Sequence, residues 1–450
     1  MGVKRLTALL ERFAPGCITT PAAKDIRGWN VSVDTSIYIH RFFRGPDTGQ
    51  VDPERRHLHG IHRMALFMKS ADITPVFVFD NAVPAESKLA ELARRESAKE
   101  VVSREYQSEI ERAARIGIYK RILKLSPGDS EIDSSDSNEY LDTFTRADEL
   151  ICAMHARDLT PSSMRPLATE WLLMTSEQLD EAILSKAPRH TIESRLSMLE
   201  KQVCSPLVPL VRATALPDDK ELASLRQDLT TLIILNKERL DKLGRRSAPL
   251  TEKHIEECQE LVSALGFVSF TASSGMESEA VCASLDSAGI VDATCSEDLD
   301  VLPFGGRRLL RNFASLGGQM VLIDSARALR ELQLTRDGFI DLCILCGTDF
   351  SSTLKSVGPI TALKLVQEHG SIENILATGK FEPRELFHFE LARSIFARSI
   401  QLPFSSRDEV RPQKERSDVL DSLLPNRKSD YALGVSQFCS GDPFAQNIVY

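Results

Sequence analysis

The chemistry open to this chain is written in its acidic residues. Asp34 lies in VSVDTS, Asp80 in PVFVFD, Glu277 and Glu279 in MESEA, Asp298 and Asp300 in SEDLD, and Asp349 in CGTDF. Three of them stand at or just beyond the end of apolar runs, Val31–Asp34, Val76–Asp80 and Leu342–Asp349. Ligands of an open α/β sheet bind beyond the carboxyl ends of its strands, so these three acids are expected on one edge. The two acid-x-acid pairs are short enough for both members to reach the same cluster. Carboxylates gathered this densely repel one another unless divalent cations neutralise them. Any one of them alone reads as a solvated loop acid. Together they read as a Mg²⁺-holding hydrolytic site.

The elements that must position these acids alternate in type. An amphipathic start (Leu6, Leu9, Leu10, Phe13) precedes the strand VSVDTS, a helix over His57–Lys69 and the strand TPVFVF. From Thr251 the pattern resumes as helix (Thr251–Leu265), strand (Phe267–Thr271), helix (Glu277–Ser287) and strand (Ile290–Cys295). Such alternation predicts an α/β fold, a mainly parallel sheet flanked by helices. Residues 86–125 are charged and poor in breakers and read as one or two exposed helices. SPGDSEIDSSDSNE (Ser126–Glu139) reads as an acidic, Ser-rich linker. Tyr140–Arg246 is helical in pattern, with breaks at Pro161, Pro188, Pro206, Pro209 and Pro217 and an amphipathic helix over Leu225–Leu243. Phe339–Val366 suggests helix, two turns, helix, and the tail after Ser405 is polar with weak periodicity.

These segments, with the opening MGVKRLTALLERFAP, the stretch TPVFVFDNAVPAESKLAELARR and the block FIDLCILCGTDFSSTLKSVGPITALKLV, resemble the XPG/flap endonuclease family of structure-specific 5′ nucleases. The resemblance covers roughly residues 1–126 and 250–375, includes all the acidic positions above, and is nearest to the flap endonuclease branch. It implies a PIN-like 5′-nuclease fold with a helical gateway and cap and a helix-two-turn-helix. The implied organisation is nuclease core over 1–85 and 250–335, gateway/cap over 86–125, a helical insertion over 126–249, the helix-two-turn-helix region over 336–400 and a tail over 401–450.

By resemblance, Asp34, Asp80, Glu277 and Glu279 gather around one Mg²⁺, and Asp298, Asp300 and Asp349 around a second, with Mn²⁺ as a substitute. Two cations roughly 4 Å apart activate water and neutralise the leaving oxygen in phosphodiester hydrolysis. Lys88 and Arg95, two helical turns apart, match basic residues that steer the scissile phosphate. Gly2, His40, Lys355 and Gly358 match DNA-binding positions, with K⁺ held by carbonyls of the helix-two-turn-helix. Here the chain departs from the family. SVGPITA places Ser356, Ile360 and Thr361 where a glycine and two basic residues are usual, and His40 stands in place of a stacking aromatic.

Composition bounds the rest. The net charge of −9 and pI near 5.6 are unlike a protein that binds phosphates everywhere. Basic residues are instead local, at Lys88, Arg94, Arg95, Arg112, Arg115, Lys120, Arg121 and Lys124, and at Arg307, Arg308 and Arg311. The dispersed cysteines, Cys343 and Cys346 included, read as buried thiols of a reducing compartment. His57, His59 and His62 do not share a helix face and are not read as a metal site. No membrane span, secretion signal or sliding-clamp motif is seen. The expected protein is a nuclear replication or repair enzyme that cleaves DNA at 5′ single-strand/duplex junctions; its insertion fits a lid, an element that binds an unknown protein, or a partly disordered segment, and the sequence does not choose among them. Two alternatives are a catalytically silent scaffold with this fold and an RNA-directed nuclease.

Overall fold

The runs VSVD and TPVFVF are rich in β-branched and aromatic residues and become neighbouring strands with both faces buried, as parallel sheets require. In the computed structural model, residues 3–45, 53–81, 89–124, 169, 172–180, 183, 192–212, 218–313 and 319–425 are described. The chain divides into two compact units, Met1–Arg95 with Pro249–Tyr450, and Glu96–Ala248.

Among its described residues the first unit is built on seven strands, β1 (Ile18–Thr19), β2 (Asn30–Asp34), β3 (Thr74–Phe79), β4 (Val268–Thr271), β5 (Ala293–Cys295), β6 (Arg308–Arg311) and β7 (Val321–Asp324). Their order is β1-β7-β6-β5-β2-β3-β4. The β2/β3, β2/β5, β3/β4 and β5/β6 pairs are parallel; β1/β7 and β6/β7 are antiparallel. Around the sheet run α1 (Leu6–Phe13), α2 (Thr35–Phe43) and α3 (Arg56–Ser70). A long helix, α4 (Leu89–Lys124), continues into the second unit, where α5 (Ile192–Arg212) and α6 (Asp219–Ser247) follow. The first unit resumes with α7 (Glu252–Ala264), α8 (Ser278–Ser287), α9 (Ser325–Leu332), α10 (Arg336–Cys346), α11 (Pro359–His369), α12 (Ile372–Ala377), α13 (Phe389–Phe396) and α14 (Ser417–Leu423). This is an α/β fold with a mixed, mostly parallel sheet flanked by helices.

Alternation along the strands sorts the side chains into two cores. Val31, Val33, Phe77 and Phe79 pack with Ile61, Met64 and Met68 of α3 and Leu261 and Val262 of α7. Val76 and Val78 face the other way, against Val281, Cys282 and Leu285 of α8. Every residue of α3 from His57 to Met68 is buried, so its histidines are core residues. His57 Nε2 lies 3.2 Å from Glu257 Oε2, and its ring meets that of His254 edge-on. Burial holds the His57 pKa down, against the Glu257 hydrogen bond, which raises it. Cys343 and Cys346 are buried on α10.

Residues 406–425, the described part of the tail, join this core despite its polar composition. The Gln413 N–H donates to the Gly266 carbonyl at 2.6 Å, and the Arg416 N–H to that of Ala264 at 2.8 Å. Gly266 has φ +81, and a Cβ there would come within 2.2 Å of the Gln413 oxygen. Leu420 and Leu424 then bury fully beside α7.

In the second unit, Ile116, Tyr119, Ile122 and Leu123 of α4 pack with Leu196, Val203, Cys204 and Leu207 of α5 and Leu225, Leu229 and Leu232 of α6. The expected breaks at Pro206 and Pro209 do not occur, because α5 runs through both. Each proline removes one helical hydrogen bond. The apolar face around them, with Val203, Cys204 and Leu207 inaccessible to solvent, holds the helix regardless. Arg112 and Arg115 are not a phosphate-facing patch. Glu200 of α5, fully buried, accepts from Arg112 Nε at 2.8 Å, Arg115 Nε at 2.5 Å and the Tyr119 hydroxyl at 3.3 Å. Glu109 pairs with Arg112 and accepts from Asn236 of α6. A cavity of about 160 Å³ lies beside this network, lined by Ser108, Arg112, Arg115, Thr175, Gln178, Leu179 and Ser197. Its guanidinium charges are already matched by Glu109 and Glu200.

Leu420→Ala is expected to lower stability by about 2–5 kcal/mol, the usual loss for a leucine removed from a packed core. The exposed Leu386→Ala should change it little. Urea unfolding of both variants checks the core role of the C-terminal segment.

Candidate active site

The parallel register of β2 and β3 sets two acids side by side. Asp34 ends β2 and starts α2, and Asp80 directly follows β3. The Asp80 N–H donates to Ser36 Oγ at 2.9 Å, which ties the β3 exit to α2. Glu277 is the N-cap of α8, and Glu279 lies in its first turn, where the helix dipole favours negative charge. Ser278, between them and fully buried, donates its backbone N–H to Asp80 Oδ1 at 2.9 Å and its hydroxyl to Asp34 Oδ1 at 2.8 Å. On the other side of β2, the loop after β5 brings in Ser296, whose hydroxyl donates to Asp34 Oδ2 at 2.7 Å. Ser296 Oγ also accepts the N–H of Asp298, and Asp298 Oδ1 accepts that of Asp300.

These bonds make one continuous acidic neighbourhood. Asp34 is 1% exposed and its pKa is pushed up to about 7, first by burial and then by the charge of Asp80, with Asp298 adding to it. The hydroxyls of Ser296 and Ser278 oppose the rise. Behind it, Cys282 is raised by burial and then by the charges of Asp34, Glu279 and Asp80. Asp298 and Asp300 are buried, while Glu297, directly before them, accepts from Arg41 at 3.0 Å.

Asp349 corrects the sequence reading. The run before it is not a strand but α10, so Asp349 sits past the C-terminus of a helix. Gly347 turns the chain there at φ 99, and its carbonyl accepts from the Lys4 N–H at 3.1 Å. The ring of Phe350 lies 6.3 Å from that of Phe304, whose N–H donates to the Asp300 carbonyl. This packing draws the Asp349 segment to the Asp300 segment.

The donor set is all oxygen and mostly carboxylate, which suits Mg²⁺ or Mn²⁺ rather than a thiolate-seeking ion. Among the described residues, no three His, Cys, Asp or Glu side chains form a ready ligand set. Such acids fit an ion that keeps several waters and takes few direct carboxylates, as Mg²⁺ commonly does.

The remaining sequence candidates are spread out. His40 is exposed on α2. Arg95 is on α4; Lys88 and Gly2 lie outside the described residues. Leu354 bridges to Pro383, and Lys355 pairs with Glu382 at 2.7 Å between the α10 and α11 helices and the chain that follows them. Gly358 is the N-cap of α11. Ser356 has φ 59, the left-handed conformation that suits the glycine it replaces. The basic group at Arg307, Arg308 and Arg311 has internal partners: Arg307 pairs with Asp286, Arg308 stacks over Trp29, and Arg311 donates to Thr7. Sequence reasoning missed Ser278 and Ser296, although both stand inside the acidic motifs.

Residues 1–101 match the XPG N-terminal domain and residues 269–349 the XPG I-region. The chain therefore carries the N and I regions that mark the XPG family of metal-dependent, structure-specific nucleases, and flap endonucleases are its distant relatives. Among its relatives, Flap endonuclease 1 of Ostreococcus lucimarinus is 41% identical over 167 residues, 36% of this chain and 42% of that protein. Flap endonuclease 1 of Glycine max is 35% identical over 211 residues, 45% of this chain and 55% of that one. The chain spans about half the length of the curated relatives it matches. The catalytic core of Rad2 in complex with DNA substrate aligns over 98% of this chain and 99% of its own, at 18% identity and a TM-score of 0.49.

Asp34 binds a proton more tightly folded than unfolded, so its burial as a carboxylate destabilises the metal-free protein above pH 7. Its contribution is most favourable below the unfolded value near 3.8 and is lost as pH rises toward about 7. In EDTA, wild type should lose stability relative to Asp34→Asn between pH 4 and 7, by a few kcal/mol on the scale of about 1.4 per pKa unit. Thermal melts across that range check it. Ser356→Gly should raise stability by about 1 kcal/mol, by relieving left-handed strain, as read in urea unfolding.

Proposed function

We propose that the protein is a structure-specific 5′ nuclease that hydrolyses DNA phosphodiesters at flaps or single-strand/duplex junctions with two Mg²⁺ ions, in nuclear replication or repair. The observation that carries this reading is Asp34 and Asp80, ending adjacent parallel strands and joined through Ser278 to the start of the helix that bears Glu277 and Glu279. On this reading Asp34, Asp80, Glu277 and Glu279 hold one ion, and Asp298, Asp300 and Asp349 the other, directly or through water. When bound, the ions supply activation of the attacking water and neutralisation of the leaving oxygen.

The chain's own residues do the rest. Lys88 and Arg95 orient the scissile phosphate and offset its charge. Gly2 and His40 contact the substrate near the cut, with the His40 imidazole presented to a base for stacking. The segment from Lys355 to Gly358 grips duplex backbone through turn amides and the N-terminus of α11, with K⁺ held by its carbonyls. Lys355 must then leave Glu382; both are exposed, and such a pair is weak. The loss of basic residues at Ile360 and Thr361 shifts this grip toward backbone amides and lowers its dependence on salt. The insertion, without chemistry of its own, serves as a surface for a protein partner.

Cleavage of a labelled 5′-flap duplex with Mg²⁺ tests the proposal. Wild type should cut near the junction, and Asp298→Ala should lose about 100-fold or more, the scale of removing a group that stabilises transition-state charge. A wild-type protein that cuts no flap, nick, bubble or RNA-containing duplex would overturn it in favour of a silent scaffold. Cutting confined to RNA would reassign the substrate.

A further inference from the structure

Two buried hydroxyls hold the one carboxylate that both acidic groups share. Ser278 and Ser296 come from separate segments, the start of α8 and the loop after β5, and are both fully buried. Each donates to a different oxygen of Asp34, at 2.8 and 2.7 Å. A carboxylate has about four lone-pair sites, so Asp34 keeps acceptor capacity on both oxygens while its rotation is stopped. The same serines reach the other acids. Ser278 donates its N–H to Asp80, and Ser296 accepts the N–H of Asp298. Glu279 Oε2 lies 3.4 Å from the Ser278 hydroxyl, but the single proton goes to the closer Asp34.

We propose that Ser278 and Ser296 are positioning residues of the metal site, a hydroxyl clamp that fixes Asp34 between the Asp80/Glu277/Glu279 group and the Asp298/Asp300 group. The inference rests on the nuclease reading above. The hydroxyls touch no reacting atom; they act through the carboxylate. Without them the Asp34 side chain would turn away from its charged neighbours Asp80 and Asp298, because repulsion favours separation. The clamp keeps the acids convergent before any cation arrives, so less ordering is left for binding. Partners of this kind that orient a ligand typically contribute about 10–100-fold to metal affinity or activity.

The test uses the full chain and Mn²⁺ as the probe, with binding followed by electron paramagnetic resonance of the free ion. Ser278→Ala and Ser296→Ala should each weaken Mn²⁺ binding about 10–100-fold. On a 5′-flap substrate they should lower kcat while leaving KM for DNA near wild type. Ser284→Ala is the control, since among the described residues its hydroxyl bonds only the Ala280 carbonyl on the same helix, and it should leave both readouts unchanged. Circular dichroism melts in EDTA report folding separately from Mn²⁺ affinity. Mn²⁺ affinity within 2-fold of wild type in both serine variants would overturn the clamp while leaving the nuclease reading intact. A wild-type chain that binds no Mn²⁺ would overturn both.

Discussion

Burying negative charge at the end of a central strand is the constraint around which the first unit is organised. Asp34 leaves β2 where the strand is flanked by β3 and β5, so its side chain is almost wholly buried. An isolated carboxylate in that position would be strongly disfavoured. The neighbourhood answers with hydroxyls rather than with basic residues, since both oxygens of Asp34 accept from serine. A bound arginine would neutralise the site and close it to cations. Hydroxyls stabilise the carboxylate yet leave its charge in place. The rest of the unit follows from this choice. The start of α8 must approach β2 and β3 closely enough for Ser278 to bond both Asp34 and Asp80, and the Val281–Leu285 face behind it packs onto Val76 and Val78 to hold it there.

The contrast with the other acids sharpens the point. Asp286 is fully inaccessible too, but it accepts from two backbone N–H groups and the Arg307 guanidinium. Asp341 is bound by Arg393 and by the Ile372 N–H. Glu200 in the second unit takes two arginines. Those are closed ion pairs, in which breaking one partner is costly because it strands a buried charge. They tie elements together. Asp34 has the same burial but a different kind of partner, and that difference separates a site from a rivet.

Much of this was legible in the sequence because strand and helix periods differ. VSVD and TPVFVF ended where expected, and the helix after Glu277 began where its acids indicated. LCILC before Asp349 was ambiguous, since a short wholly apolar run fits a buried strand or a buried helix equally. Pro206 and Pro209 pointed to breaks, but local propensity lost to the apolar face of α5. The partners of Arg112 and of Asp34 could not be read at all. They lie 88 and more than 240 residues away, and only the folded chain brings them together.

The acidic balance of the chain takes on a different meaning in this light. A net charge of −9 argues against broad attraction to phosphate, and several arginines that might have made a basic face are instead committed internally, Arg112 and Arg115 to Glu200 and Arg307 to Asp286. Electrostatic steering by the whole surface is therefore weak. On the proposed reading, what would hold a nucleic acid is local: backbone amides at turns and helix starts, exposed cations such as Lys364 on α11, and divalent ions once bound. Contacts of that kind respond to the shape and spacing of a backbone more than to its total charge. On the proposed nuclease reading, a surface that attracts phosphate poorly, joined to a site that gathers carboxylates tightly, would select its substrate by backbone shape rather than by charge.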